Sequence, residues 1–350
     1  MSQAHYNVIE GPYLRDILDQ PAAVRVTIEH LRNDRELSGR IAAIRAQPRA
    51  RIILTGMGSS LYALYPLEMA LTAQGETVCR AETAELIHAL PGLLTADSVI
   101  VAVSQSGQSA EMIRLLEQND GRARIIGVTN TEDSPLHRES DLCILTNSGD
   151  EFSVSTKTYM ASLAALEVLS AAWGGLDVEP LYTELCTAPE DLAAYLASWQ
   201  AHVQALASHL GEVRQFFILG RGRSLASCGT GALILKESTR SFAEGMSSAA
   251  FRHGPLEMVS HDSLVLVFDG DPETRHLNRK LVRTIRERGG RAETIGSDSE
   301  LAALRIPGNL SRTLTLLEMA PVQMLSLAIA ARSGTEAGRF QHATKITTEE

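Results

Sequence analysis

The sequence predicts an α/β protein of two tandem, doubly wound domains, each a mostly parallel five-stranded sheet flanked by helices. Three observations carry this: the length, an internal repeat, and the composition of the apolar runs. A chain of 350 residues exceeds what one hydrophobic core normally holds and suggests about two domains. The stretch RIILTGMGSSLYA from Arg51 is echoed by QFFILGRGRSLAS from Gln215, each an apolar strand, a Gly-x-Gly-x-Ser turn and a helical pattern. The echo continues in order, Asp97–Val103 with Asp262–Val267, and GRARIIG at Gly121 with GRAETIG at Gly290. Near-continuous Val, Ile and Leu runs suit strands covered on both faces, as in parallel sheets with helices on either side.

Along the chain, residues 1–40 read as an N-terminal helical segment, 41–180 as the first domain and 181–212 as a polar helical linker. Residues 213–335 read as the second domain and 336–350 as a polar tail. Ligands of doubly wound sheets bind beyond the carboxyl ends of the strands, where both Gly-rich turns would sit.

Composition excludes several function classes. Hydrophobic residues make up 44% and charged residues 21%, ordinary for a globular protein, and no stretch of about 18 apolar residues suggests a bilayer span. The N-terminus lacks a basic region followed by an apolar run, so neither a signal nor a transit peptide is visible and a cytoplasmic location is expected. A net charge of −10 argues against a nucleic-acid surface, which needs clustered Lys and Arg. Cys79, Cys143, Cys186 and Cys228 lie far apart without metal-ligand spacing, so buried free thiols and no metal are expected.

The stretch VAVSQSGQSAE from Val101 runs an apolar strand into six residues rich in hydroxyls, Ser104 to Ser109, then into a helical pattern. Backbone N–H groups and hydroxyls at the positive end of a helix make an anion cradle, and a phosphate suits it. Equally, Ser104, Ser106 and Ser109 could serve only to cap the helix and tighten the turn. The repeat breaks here, because the equivalent turn reads FDGDPE from Phe268; its acids would repel phosphate, leaving one phosphate site per chain. Neither Gly-x-Gly turn completes a dinucleotide fingerprint and no Gly-Lys-Ser/Thr loop occurs, so no nucleotide cofactor is expected.

With GMGSS at Gly56, SQSGQSAE at Ser104, ESDLCILTNSGDEFSVSTK from Glu139, ILGRG at Ile218, LKE at Leu235, AEGMSSAAFRHGPLEMV from Ala243 and ATKITTEE at the end, nearly the whole chain resembles the sugar-isomerase (SIS) family. Within it the likeness is to the isomerase half of glucosamine-6-phosphate synthase and its stand-alone relatives. The resemblance implies two SIS domains, a small-molecule 6-phosphosugar ligand, no cofactor or metal, and a homodimer with its active site near the subunit interface. It implies that Ser59, Ser60, Ser104, Gln105, Ser106, Ser109 and Ser155 hold phosphate and sugar. Glu237 would be the base, its pKa raised by partial burial; His253 would serve ring opening; and Lys345 would form an imine or pair with a developing enediolate once the tail closes over the site.

Two departures matter. Ile234 stands where many relatives have a lysine one turn before the catalytic glutamate, and Thr230 where they have another glutamate. With neither the length nor the nucleophilic cysteine of the glutamine-hydrolysing domain in this sequence, glutamine-dependent amination is not expected. The expected activity is therefore that of a deaminase or deglycase acting on a 6-phosphorylated amino sugar or fructosyl-amine. A simple aldose-ketose phosphosugar isomerase, or a non-catalytic phosphosugar sensor, are the alternatives.

Overall fold

The computed structural model describes residues 7–307, 312–342 and 344–349. The first repeat builds a sheet from β1 (Arg51–Gly56), β2 (Val78–Glu82), β3 (Ser98–Val103), β4 (Arg124–Thr129) and β5 (Leu142–Leu145). Their order is β2-β1-β3-β4-β5 and every neighbouring pair is parallel. All of β3 and nearly all of β1 and β4 are buried, which is why these strands read as unbroken apolar runs instead of alternating ones. The strand order reverses between β1 and β3, and at such a switch point the loops after the two strands splay to leave a crevice. Gly56 ends β1 so close to β3 that a Cβ there would lie 2.9 Å from the Val103 carbonyl oxygen; only glycine fits.

The second repeat builds β6 (Gln215–Gly220), β7 (Phe242–Ser247), β8 (Ser263–Phe268) and β9 (Ala292–Ile295), in the order β7-β6-β8-β9, again all parallel. Among the described residues this sheet has four strands, one fewer than expected. In place of a fifth, the Gly296 N–H donates to the Leu304 carbonyl at 3.2 Å and the Ile306 N–H to the Gly296 carbonyl at 3.3 Å. Pro307 follows, and having no N–H it cannot extend the pairing.

Two compact units emerge. One comprises the described residues of 22–150, 156–187 and 342–350, and carries the first sheet; the other comprises those of 1–21, 151–155 and 188–341, and carries the second. The core of the first gathers Ile53, Leu86, Ile100, Met112, Leu115, Ile125 and Leu136. That of the second gathers Phe217, Leu219, Phe251, Val265, Val267, Leu281 and Ile285.

Three helices bear on the site residues. The first, α1 (Pro12–Asn33), contains Pro21, which leaves the Ile17 carbonyl without its usual N–H donor four residues on. The Gln20 side-chain amide supplies one instead, at 2.9 Å. The second, α2 (Ala110–Asn119), follows β3, and the third, α3 (Leu225–Thr239), follows β6. A further helix, α4 (Leu314–Ser333), is long and apolar enough to cross a membrane, contrary to the sequence-based expectation of no such stretch; however, 94% of its apolar window is buried, as befits a core helix. The thiols also depart from expectation: all four are free, but only Cys228 is buried, Cys79 and Cys143 are half-buried, and Cys186 is exposed.

Candidate functional site

The turn after β1 passes through Gly58 at a φ of +52°, a left-handed conformation, and opens the short helix Ser59–Tyr62. Ser59 is 8% exposed and its Oγ has no hydrogen-bond partner. A buried hydroxyl left unpaired is costly, so a group that could bond it would be bound with advantage. Ser60 is half-buried, its N–H donating to the Met57 carbonyl at 3.1 Å.

The SQSGQS turn is built from the inside. The Ser104 N–H donates to the Val128 carbonyl at 3.0 Å, tying the turn to β4. The Gln105 carbonyl accepts from the Asn130 N–H at 3.0 Å and from Thr129 Oγ1 at 3.2 Å. Ser104 Oγ accepts the Gly107 N–H at 3.1 Å and Ser106 Oγ the Gln108 N–H at 3.3 Å, so two serines do tighten the turn. Ser109 does not share that role: it sits at the N-cap of α2 but makes no side-chain cap bond. Gly107 is required, since it lies at a φ of +64° and a Cβ would fall 2.9 Å from Thr129 Oγ1 and still closer to Ser134 Oγ.

At the start of α2 the Ala110 N–H donates to the carbonyl of Thr347, in the C-terminal tail, at 3.1 Å. Lys345, two residues earlier, is half-buried. The tail therefore lies against the same helix end that the serines surround. Glu111, in the first turn of α2, is 8% exposed with Oε2 unpartnered; it lies within the motif, but its sequence context suggested no role for it.

In the other unit, Glu237 lies in the last turns of α3, half-buried between the exposed Lys236 and the buried Ser238. His253 is exposed on the loop after Ser248–Phe251, its N–H donating to the Ala250 carbonyl at 2.9 Å. Ser155 is half-buried and belongs to the segment 151–155 of this unit. Thr230 and Ile234 are wholly buried in α3, and Thr230 Oγ1 has no partner. These two positions are thus core positions, where a lysine or glutamate would need a buried counter-charge.

The counterpart turn of the second repeat is occupied by its own side chains. Three residues separate β8 from the helix α5 (Pro272–Glu287), against six between β3 and α2. Asp271 sits at the N-cap of α5 without a side-chain cap bond and accepts from Arg223 Nε at 2.9 Å and from the Arg223 N–H at 3.3 Å. Asp269 takes Arg279 through two bonds, of 2.8 and 2.6 Å. Behind them, Glu318 of α4 is fully buried and accepts from Ser224 Oγ and Ser227 Oγ, both at 2.6 Å. Burial pushes its carboxyl up to about 7, against the pull of the two serine bonds. Sequence reasoning missed Glu318, although a lone acid in the apolar run LTLLEMAPVQML was the available signal. Among the described residues no group of three or more His, Cys, Asp or Glu could hold a metal ion.

The comparisons with known proteins agree with this architecture. The SIS domain profile matches residues 46–172 and 209–303. The glutamine–fructose-6-phosphate aminotransferase (isomerizing) of Pyrococcus horikoshii is 28% identical over 351 residues, covering 96% of this chain but 57% of the relative. The chain thus spans little more than half the length of that relative. Among solved structures, tagatose-6-phosphate ketose/aldose isomerase from Escherichia coli aligns with a TM-score of 0.79 at 20% identity, covering 95% of this chain and 97% of that one. Glucosamine-6-phosphate deaminase from Thermotoga maritima aligns at 0.76 and 21% identity, covering 97% and 100%. With both repeats matched by the same profile, the chain belongs to the SIS domain family.

Proposed function

We propose that this protein is an enzyme that removes nitrogen from a 6-phosphorylated sugar, as a deaminase of an amino sugar or a deglycase of a fructosyl-amine. The observation that carries the reading is the SQSGQS turn. Its backbone is tied to β4 and to its own serines, yet the Ser109 side chain makes no cap bond and the neighbouring Ser59 Oγ is buried without a partner. Braced donors around a helix N-terminus suit a phosphate that is held but not transferred. Ser60, Ser104, Gln105, Ser106 and Ser155 complete the proposed phosphate and sugar contacts. The bound phosphate would fix the sugar by interactions remote from the reacting carbons.

The proposed chemistry is proton transfer. His253 moves a proton from the anomeric hydroxyl to the ring oxygen, opening the ring. In deamination Glu237 takes the C2 proton of the open amino sugar and returns it at C1; the resulting C2 imine takes up water and releases ammonia and fructose 6-phosphate. In deglycation Glu237 takes a C1 proton of the fructosyl-amine and returns it at C2, and water splits the C1 imine into an amine and glucose 6-phosphate. Lys345 would stabilise the negative charge that develops on the open-chain oxygen. The burial of Thr230 and Ile234 in the core of α3 supports a reaction that does without the polar pair of synthase-type isomerases. A cytoplasmic homodimer is part of the same proposal.

The test is a coupled assay against glucosamine 6-phosphate, fructose 6-phosphate and a panel of 6-phosphofructosyl-amino acids, following ammonia, amino acid and hexose phosphate. Ammonia release identifies a deaminase, and amino acid with glucose 6-phosphate a deglycase. Glu237→Gln should lower kcat by about 10²–10⁴, the worth of a general base, while phosphosugar affinity persists. Interconversion of hexose phosphates without nitrogen release would instead establish the isomerase. Tight binding with no turnover would establish the sensor.

A further inference from the structure

Tyr13 of α1 is fully buried, and its hydroxyl meets Ser326 Oγ of α4 at 2.9 Å. Ser238, the residue after Glu237, is buried and donates its own hydroxyl to the Ile234 carbonyl at 2.6 Å. One turn along α1, Asp16 is 2% exposed, and its Oδ2 accepts the N–H groups of Phe152 at 2.9 Å and Ser153 at 3.2 Å. Ser153 Oγ in turn donates to the Gly338 carbonyl at 2.7 Å, and the Gly338 N–H donates to the Ser238 carbonyl at 3.1 Å. Gly338 has a φ of +72°, and a Cβ there would collide with Ser153 Oγ and lie 2.7 Å from Tyr13 Cβ. Thus Tyr13, the segment 151–153, Gly338 and the end of α3 form one closed set of contacts within one unit. The reciprocal amide pair of Gln20 and Gln323, at 2.9 and 2.8 Å, fixes α1 against α4 beside it.

We propose that Tyr13 is a positioning residue for Glu237: anchored by its hydroxyl to Ser326, it seats Gly338, whose N–H holds the Ser238 carbonyl in the last turn of α3 and whose carbonyl holds Ser153 of the segment 151–155. The proposal rests on Glu237 being the base proposed above. A phenylalanine would fill the same space, so packing alone does not account for a hydroxyl that must be desolvated and satisfied by a serine of another helix. The charges of Glu237 and Glu151 reach the same phenol and, after burial itself, push its ionisation upward, so it remains a protonated donor. A base that must meet a carbon-bound proton tolerates little misplacement, and the last turn of a helix, whose terminal carbonyls lack helical partners, is where it would otherwise loosen.

The experiment uses Tyr13→Phe in the full chain, with Ser326→Ala as a second variant that leaves the ring untouched. Hydrogen–deuterium exchange should quicken at residues 151–155 and 236–240 and stay unchanged at 104–109. On the substrate identified by the panel, kcat should fall about tenfold while KM stays within twofold. Unchanged exchange at 236–240 overturns the proposal whether or not a substrate has been found. Quickened exchange with normal kcat, in an enzyme that Glu237→Gln inactivates, also overturns it by leaving Tyr13 a structural role only. If Glu237→Gln keeps full turnover, the base assignment falls, and exchange alone then judges whether Tyr13 holds this turn.

Discussion

Replacing Gly107 with alanine tests whether the SQSGQS turn is built as the structure has it. A φ of +64° costs a residue with a Cβ about 1 kcal/mol or somewhat more. The new methyl group would also strike the Ser134 side chain. That side chain caps the helix Pro135–Glu139 by accepting the His137 N–H at 3.3 Å, and donates to the Thr131 carbonyl at 2.8 Å. Losing the cap costs about 1 kcal/mol and losing the second bond about 1 kcal/mol more. Gly107→Ala should therefore destabilise its unit by about 3 kcal/mol. Gly121→Ala supplies the control: its φ is +69°, but nothing lies within 4 Å of the added carbon, so only the backbone cost of about 1 kcal/mol applies. Urea unfolding of both variants measures the difference, expected at about 2 kcal/mol. Titration with fructose 6-phosphate should show affinity weakened at least tenfold in Gly107→Ala and unchanged in Gly121→Ala. A Gly107→Ala protein as stable as Gly121→Ala, or one binding the ligand normally, would refute the account of the turn.

Two further predictions separate roles that look alike in sequence. Ser104→Ala should cost up to about 1 kcal/mol by removing one of the two acceptors of the Gly107 N–H, which keeps the Ser104 carbonyl, whereas Ser109→Ala should leave stability within about 0.5 kcal/mol yet weaken phosphosugar binding about tenfold. If Ser109→Ala destabilises the fold and spares affinity, the helix-capping reading wins. For Glu318, the folded carboxyl is pushed up to about 7, above the value of about 4.3 for an unfolded chain, so the folded state binds the extra proton between these values. Its contribution is fully present below the unfolded pKa and lost as pH rises through 7. Glu318→Gln should thus stabilise its unit at pH 8 relative to the parent by on the order of 3 kcal/mol and flatten the decline between pH 5 and 8, as pH-dependent urea melts would show.

How far the sequence could be read depended on whether a feature was local. The strands were legible because β1, β3, β6 and β8 are buried on both faces and so apolar throughout. Gly56 and Gly107 were legible as turn glycines, though the contacts that exclude any side chain there, with the Val103 carbonyl and with Ser134, come from elsewhere in the chain. The shortened second sheet was not, because the run that pairs with Gly296, around Leu304 and Ile306, is short and carries no break that sequence alone would mark. The segment 151–155 was assigned by sequence order to the first repeat; its grouping with the second unit depends on Asp16 and Gly338, 136 and 185 residues from their partners. Tyr13 carried no signal of its own within the N-terminal helical segment, because its hydroxyl's partner, Ser326, lies 313 residues away.

The two turns after β6 and β8 show what the duplication has become. In the first repeat the corresponding turns present hydroxyls and N–H groups, with Ser59 Oγ buried and unbonded. In the second, Arg223 bridges the first turn to Asp271 at the next helix N-terminus, and Ser224 is consumed by Glu318. A carboxylate at a helix N-terminus meets the same dipole that a phosphate would, and Asp271 is held there by Arg223 with no bond to the helix N–H groups. The second repeat therefore carries its own anions where the first has uncommitted donors, and this stabilises the fold without competing for ligand. The β6–β7 half carries the proposed chemical groups, Glu237 and His253, on the helix and loop around it. Under the proposed function, chemistry and anchoring can evolve separately, since a change in the leaving group would call for new side chains near Glu237 and none in the SQSGQS turn.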